Sequence, residues 1–306
     1  MSNQDRDPLF YLENGFLKLY RVSPYETDGV GRLKIGSIFN WLQDSMDEYS
    51  TALGVGADYC QKHDISYALR SYDVSVSSLP SRGEVVPMRT RLKCLTPISF
   101  LLQQTMYEPS LRRSLLSSCS EVILLNASNG HWVRSKTSLP NYIIEGTQMG
   151  PYVMSEAPRL EHIDNVRDEV VPWDYIDFNR HVNNSRYVEM AARGVSPVRL
   201  KEMQLRRIAA TFKRAAKYGE HLQVQTQIDP LSSRHTIVPK DKGDTPYARV
   251  YFEWQKKQML CREKYNTREE DKMENNELPA LCNVVERPAK RAAAPIARRG
   301  GQTYVY

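Results

Sequence analysis

Asp177, Asn179 and His181 lie two residues apart and bring a carboxylate, an amide and an imidazole into one short stretch. On an extended segment alternate side chains leave on the same side, so the three are expected to share a face. Such a set can take a proton, hold a carbonyl or a water, and orient a polar group. A neutral imidazole suits proton exchange near neutral pH. Ser185–Arg193 reads as helix, so Asn183 and Asn184 stand at its start. Free backbone N–H groups and the positive end of a helix dipole are then expected beside the trio, where an oxyanion could be held. Taken alone, the same residues also describe a polar turn whose asparagines cap a helix.

The longer run Asp177-Phe178-Asn179-Arg180-His181-Val182-Asn183-Asn184, with Tyr187 after it, resembles the Asp-x-Asn-x-His-Val-Asn-Asn-x-x-Tyr signature of the acyl-acyl-carrier-protein (acyl-ACP) thioesterases of bacteria and plastids. The resemblance covers most of residues 10–258. It implies an α+β fold of tandem hot-dog domains, each a long helix wrapped by a curved antiparallel sheet. It also implies hydrolysis of fatty acyl-ACP to free fatty acid and holo-ACP, without metal or cofactor. Asp177, Asn179 and His181 would be catalytic, Asn183 and Asn184 would support the turn, and the acyl chain would lie in the N-terminal half. Asp177 could serve as base or as nucleophile. The family commonly carries a glutamate in a segment like Tyr-x-x-Glu-x-x-x-Gly-Asp. The run Phe212–Glu220 has Ala215 at that place, Ala216 where plant members often have cysteine, and Glu220 at the family's Gly-Asp acid. An acyl-CoA thioesterase, and a non-catalytic protein that binds acyl chains or their carrier, are the alternatives.

The elements that must position these residues can be outlined from composition and periodicity. A chain of 306 residues suggests two domains, each large enough for its own core. No apolar run approaches the ~20 residues that span a bilayer. The polar N-terminus is unlike a presequence, and the five scattered cysteines suit reduced thiols, so a cytoplasmic location is expected. There is no CxxC, Gly-x-Ser-x-Gly, P-loop or HExxH pattern, and His63, His131, His162, His221 and His235 are expected at the surface. Of the formal charge of +6, Arg287, Lys290, Arg291, Arg298 and Arg299 supply five, so global basicity gives no argument for nucleic acid. The segment Arg193–Lys217 holds eight Lys/Arg against Glu202 alone. Within it Arg206, Arg207, Lys213, Arg214 and Lys217 are candidates for steering an acidic carrier protein.

A weak internal repeat supports two similar halves. Tyr25-Glu26 through Trp41-Leu42 can be laid over Trp173-Asp174 through Glu189-Met190, and Gly83–Thr90 over Gly219–Thr226. In that frame Gly29, Gly31 and Leu33 face Asp177, Asn179 and His181, which predicts one active site, in the C-terminal half. Ile35, Ile38, Phe39, Leu42, Met46 and Leu53 recur at helical spacing before Gly54, whereas Tyr72/Val74/Val76, Ile208/Ala210/Phe212 and Val250/Phe252/Trp254 alternate as strands do. The expected plan is an N-terminal hot-dog over 8–139, a linker over 140–166, a catalytic hot-dog over 167–265 and a disordered charged tail over 266–306. The two halves could pair with each other, with or without a further homodimer.

Overall fold

The computed structural model describes residues 7–148, 154, 156–241 and 245–257. The expected charged tail lies outside these residues. In chain order come α1 (Pro8–Asn14), β1 (Phe16–Arg21), α2 (Ile35–Ala52), α3 (Ala57–His63), β2 (Ile65–Val76), β3 (Val85–Leu95), β4 (Ser99–Tyr107) and β5 (Ser114–Asn126). The short α4 (Ser135–Ser138) and α5 (Asn141–Gly146) follow, then β6 (Asn165–Val170), α6 (Asn184–Ala192), α7 (Pro197–Glu202), β7 (Met203–Phe212), β8 (His221–Ile228), β9 (Ser232–Pro239) and β10 (Ala248–Lys256).

All ten strands form one antiparallel sheet in the order β1-β3-β4-β5-β2-β7-β10-β9-β8-β6. Read outward from the β2–β7 seam, each half repeats the other's topology, with β1 answering β6 and β2 answering β7. The seam pairs Ser71–Ser75 with Thr211–Arg207. Arg207 bridges it with a two-pronged ion pair to Asp73, both N···O distances being 2.8 Å.

Helix α2 forms because its apolar residues return every three or four positions. Ile35, Ile38, Phe39 and Leu42 are buried on one stripe, continued by Ser45 and Tyr49. Each large apolar side chain so buried contributes roughly 1.5–3 kcal/mol. Leu53 closes the helix and Gly54 turns the chain at φ +69. Helices α2 and α6 cross at Gly36, where a Cβ would lie 2.3 Å from Glu189 Cγ, so a larger residue there requires the Glu189 side chain to move.

One core cluster runs beneath both helices and across the seam. A second, in the N-terminal half alone, gathers Tyr49, Leu53, Leu95, Phe100, Leu102, Val122 and Ile143. It encloses a void of about 20 Å³. Ile143 belongs to α5, so the front of the stretch expected as a linker is docked on the N-terminal half; Tyr142 Oη donates to Leu53 O there.

Candidate active site

Asp177, Asn179 and His181 do not lie on an extended strand. Residues 177–181 form a tight turn closed by Asp177 N–H donating to His181 O at 2.9 Å and Arg180 N–H to Asp177 O at 2.9 Å. The Asp177 side chain directs it: Oδ1 accepts Asn179 N–H at 2.9 Å, a local bond that competes with strand pairing. Arg180 completes the reversal in the left-handed region, at φ +63. Asn179 is exposed, and Asp177 and His181 are half-buried. Among the described residues no hydrogen bond links the three side chains to one another, and Asp177 Oδ2 accepts none.

The turn feeds into α6. Asn183 is its N-cap, its side chain accepting from Ser185 N–H at 2.9 Å and Ser185 Oγ at 2.8 Å, while Asn184 is the first helical residue. Arg186 N–H is taken by Asn183 O. The open row of N–H groups expected at this corner is therefore largely occupied by the cap.

Two further contacts hold the turn, and both run to the segment after β7. Val182 N–H donates to Ala216 O at 2.9 Å, and Ala216 N–H donates to Tyr187 Oη at 2.8 Å. Tyr187 and Ala216 are fully buried. Burial raises the Tyr187 phenol above its ordinary range, which keeps it neutral. Ala215, at the place of the family glutamate, is exposed beside this anchor. Glu220 accepts from Tyr247 Oη at 2.6 Å and so is held away as a base; burial and this carboxylate push the Tyr247 phenol up to about 12.

The N-terminal half contains the same turn. Thr27 bridges Leu33 as Ile176 bridges Val182, Asp28 N–H donates to Arg32 O, and Gly31 sits at φ +80 in the place of Arg180. Leu33 N–H donates to Pro80 O as Val182 N–H does to Ala216 O, both at 2.9 Å. This corrects the sequence frame by one residue. Asp28, Val30 and Arg32, not Gly29, Gly31 and Leu33, stand opposite Asp177, Asn179 and His181. The aspartate is thus present in both copies, and its surroundings differ. Asp28 Oδ1 accepts Val30 N–H and Arg32 N–H at 3.0 and 2.9 Å, and Oδ2 meets Arg32 Nη2 at 3.2 Å. Arg32, in the place of His181, neutralises one carboxylate; the other stays open.

The candidate basic residues are divided by the fold. Arg206 lies near the start of β7, about 23 Å of strand from Lys213 at ~3.3 Å per residue. Arg207 is committed to Asp73 across the seam. Lys213 pairs with Glu156, and Arg214 stacks over the Tyr247 ring at 4.9 Å. Only Lys213, Arg214 and Lys217 share the anchor segment beside the turn. The sequence reading overlooked the aromatic surface around it: Phe178 is 91% exposed, Trp173 72% and Tyr218 63%, the last two meeting edge to face at 5.7 Å.

His235 departs from its expected surface position. It points inward from β9, fully buried, with Nδ1 3.0 Å from Thr226 Oγ1 and Nε2 3.0 Å from Ser233 Oγ. Burial pushes its pKa down to about 3. Among the described residues no cluster of His, Cys, Asp and Glu could hold a metal ion, and no helix is long and apolar enough to cross a membrane.

Comparison with known proteins agrees with this architecture. Residues 13–133 match the model of the acyl-ACP thioesterase N-terminal domain, and residues 162–256 that of the C-terminal domain. A chloroplastic acyl-[acyl-carrier-protein] hydrolase of Cuphea viscosissima is 21% identical over 284 residues, covering 82% of this chain and 64% of the relative. A chloroplastic palmitoyl-acyl carrier protein thioesterase of Cuphea hookeriana is 20% identical over the same shares. The chain therefore spans just under two thirds of these relatives' length. Among solved structures, the 12:0-ACP thioesterase of Umbellularia californica superposes with a TM-score of 0.71 at 17% identity, covering 83% of this chain and 99% of that one. An acyl-ACP thioesterase of Bacteroides thetaiotaomicron gives 0.69 at 14% identity, covering 83% and 100%. The tandem hot-dog architecture is thus shared over 83% of this chain. With both family domains matched in order on that fold, the chain belongs to the acyl-ACP thioesterase family.

Proposed function

We propose that the protein hydrolyses the thioester of fatty acyl-ACP, releasing a fatty acid and holo-ACP. The observation that carries this reading is the pair of matched turns: in a chain of this family, one aspartate is neutralised by its own arginine and the other keeps an oxygen open. Asp177 Oδ2 takes a proton from water as the water oxygen adds to the thioester carbonyl carbon. The Asn179 amide, at the tip of the turn, holds the carbonyl oxygen as it becomes an oxyanion. Collapse breaks the C–S bond, and the proton returns to the departing thiolate through His181. Because Ala215 offers no carboxylate, the base falls to Asp177.

A protein carrier is favoured over CoA by the rim of the turn. Exposed Phe178, Trp173 and Tyr218 beside Arg214 and Lys217 join aromatic area to positive charge, as protein-binding surfaces do. Lys213 belongs to the same rim. The apolar cluster behind α2 would accommodate the acyl chain once its side chains move apart. Among the described residues Cys60 and Cys94 carry thiols, in keeping with a cytoplasmic setting. The test is hydrolysis of acyl-ACPs of graded length and of the matching acyl-CoAs, with Asp177→Ala as control. Turnover untouched by that change would refute the mechanism, and binding without turnover would make the protein an acyl-ACP binder.

A further inference from the structure

A cavity of about 780 Å³ opens beside the N-terminal turn and the start of α2. It stands where the two-fold repeat of the fold places a copy of the catalytic cleft. Arg32 lines it in the place of His181, and Leu79 in the place of Ala215, one residue before the carbonyl that clamps each turn. The volume is that of a small-molecule site.

Its wall has two parts. Leu33, Leu79, Leu200, Met203, Leu205 and Trp254 give an apolar floor. Arg32, Lys34, Arg186 and Arg193 give four cations near its mouth. Three acids line it as well, Glu26, Asp28 and Glu189, and two of them pair with these cations, Asp28 with Arg32 at 3.2 Å and Glu189 with Arg186 at 2.9 Å. Lys34 donates to Tyr25 O and Arg193 to Tyr175 Oη, and the lining keeps an excess of one positive charge. Two N–H donors of the wall, Arg32 Nε and Trp254 Nε1, are buried without an acceptor. Trp254 is only 3% exposed. Neither atom is open to the cavity as it stands, so a ligand reaches them only after the side chains of the wall shift.

We propose that this cavity is a second acyl site, one that binds an aliphatic carboxylate (a free fatty acid) and does not hydrolyse. The apolar floor takes the alkyl chain, and the arginines take the carboxylate. Hydrolysis at the other turn is assigned an amide that holds the carbonyl and an imidazole; this copy presents Val30 and Arg32 at the corresponding places and ties its aspartate, Asp28, to Arg32, a change that favours an anion. The acyl character of the ligand rests on the proposed thioesterase reading, whereas its charge rests on the cations of this cavity.

The test uses the full chain, with dodecanoate as probe and methyl dodecanoate as its neutral counterpart. Binding is measured by calorimetry and located by cross-linking a diazirine-bearing twelve-carbon acid. Dodecanoate should bind, and labels should fall on the segments carrying Leu79 and Val195–Leu205. Arg186→Gln, which leaves the turn intact, and Met203→Trp, which fills the floor, should each weaken that binding roughly ten-fold or more. Asp177→Ala should leave it unchanged, so loss of turnover and loss of this site are read separately. Equal affinity for the methyl ester would overturn the proposal. So would labels confined to the apolar cluster behind α2, or no binding of dodecanoate.

Discussion

Replacing Asp177 by asparagine separates the two tasks its carboxylate performs. Oδ1 accepts Asn179 N–H at 2.9 Å and shapes the turn. An amide oxygen can accept the same bond, so Asp177→Asn should keep the turn and the native stability. Asp177→Ala loses the bond, about 0.5–1.5 kcal/mol for a contact at this degree of exposure. In a body of this size that is roughly 1–6 °C in the melting temperature. Neither variant can take a proton from water. If Asp177 is the base, both should lose about 10²- to 10⁴-fold in kcat. The assay is acyl-ACP hydrolysis beside a thermal melt for wild type, Asp177→Asn, Asp177→Ala and Asp28→Asn. Asp28→Asn should affect stability and spare turnover. An Asp177→Asn enzyme within a few-fold of wild type would refute the assignment, because the turn would then matter for its shape alone.

Tyr187→Phe should cost about 1–3 kcal/mol, since it leaves the buried Ala216 N–H without an acceptor, and should lower kcat more than it raises KM; urea unfolding and steady-state kinetics measure both. Arg180→Gly should stabilise the fold by up to about 1 kcal/mol, because the left-handed conformation strains a side chain and glycine already fills the matching position at Gly31. His235 is held neutral by burial down to about pH 3, whereas in the unfolded chain it takes a proton below its ordinary value near 6.5. Stability should therefore fall as pH drops through that window, by up to about 1.4 kcal/mol per pH unit, and His235→Phe should flatten the slope seen in denaturant melts. Charge reversal at Arg214 or Lys217 should raise KM for acyl-ACP and spare acyl-CoA, with the same change at Arg206 neutral in comparison.

The long helix α2, its shorter counterpart α6 and the alternating strands were legible because their signals are local and periodic. Ile35, Ile38, Phe39 and Leu42 declare a helical face, and Tyr72, Val74 and Val76 a strand face, without reference to the rest of the chain. The trio Asp177, Asn179 and His181 was legible by type and by family signature. Its local shape was misread, since spacing of two suits a strand and an aspartate-directed turn alike. The turn is chosen by a side-chain to backbone bond, which leaves no periodic trace. The repeat was seen one residue out of frame for a related reason. Few identities mark it, and only the hydrogen bonds that close the two turns show Asp28 opposite Asp177. His235 was misplaced because a lone histidine between polar neighbours, Arg234 and Thr236, carries no sign of facing inward. Tyr187 and Ala216 join residues 29 apart, a contact that no pattern within one segment announces.

The seam between β2 and β7 has a consequence for how such a protein can change. When a symmetric pair is built from two identical chains, every substitution is written twice, and a site cannot gain an arginine without its twin gaining one too. Here both halves of the sheet are encoded in a single chain, and Ser71–Ser75 are zipped to Thr211–Arg207. The histidine at 181 and the arginine at 32 could therefore be selected apart. The shared sheet keeps the geometry of a matched pair, and the single chain releases each member to take up its own chemistry.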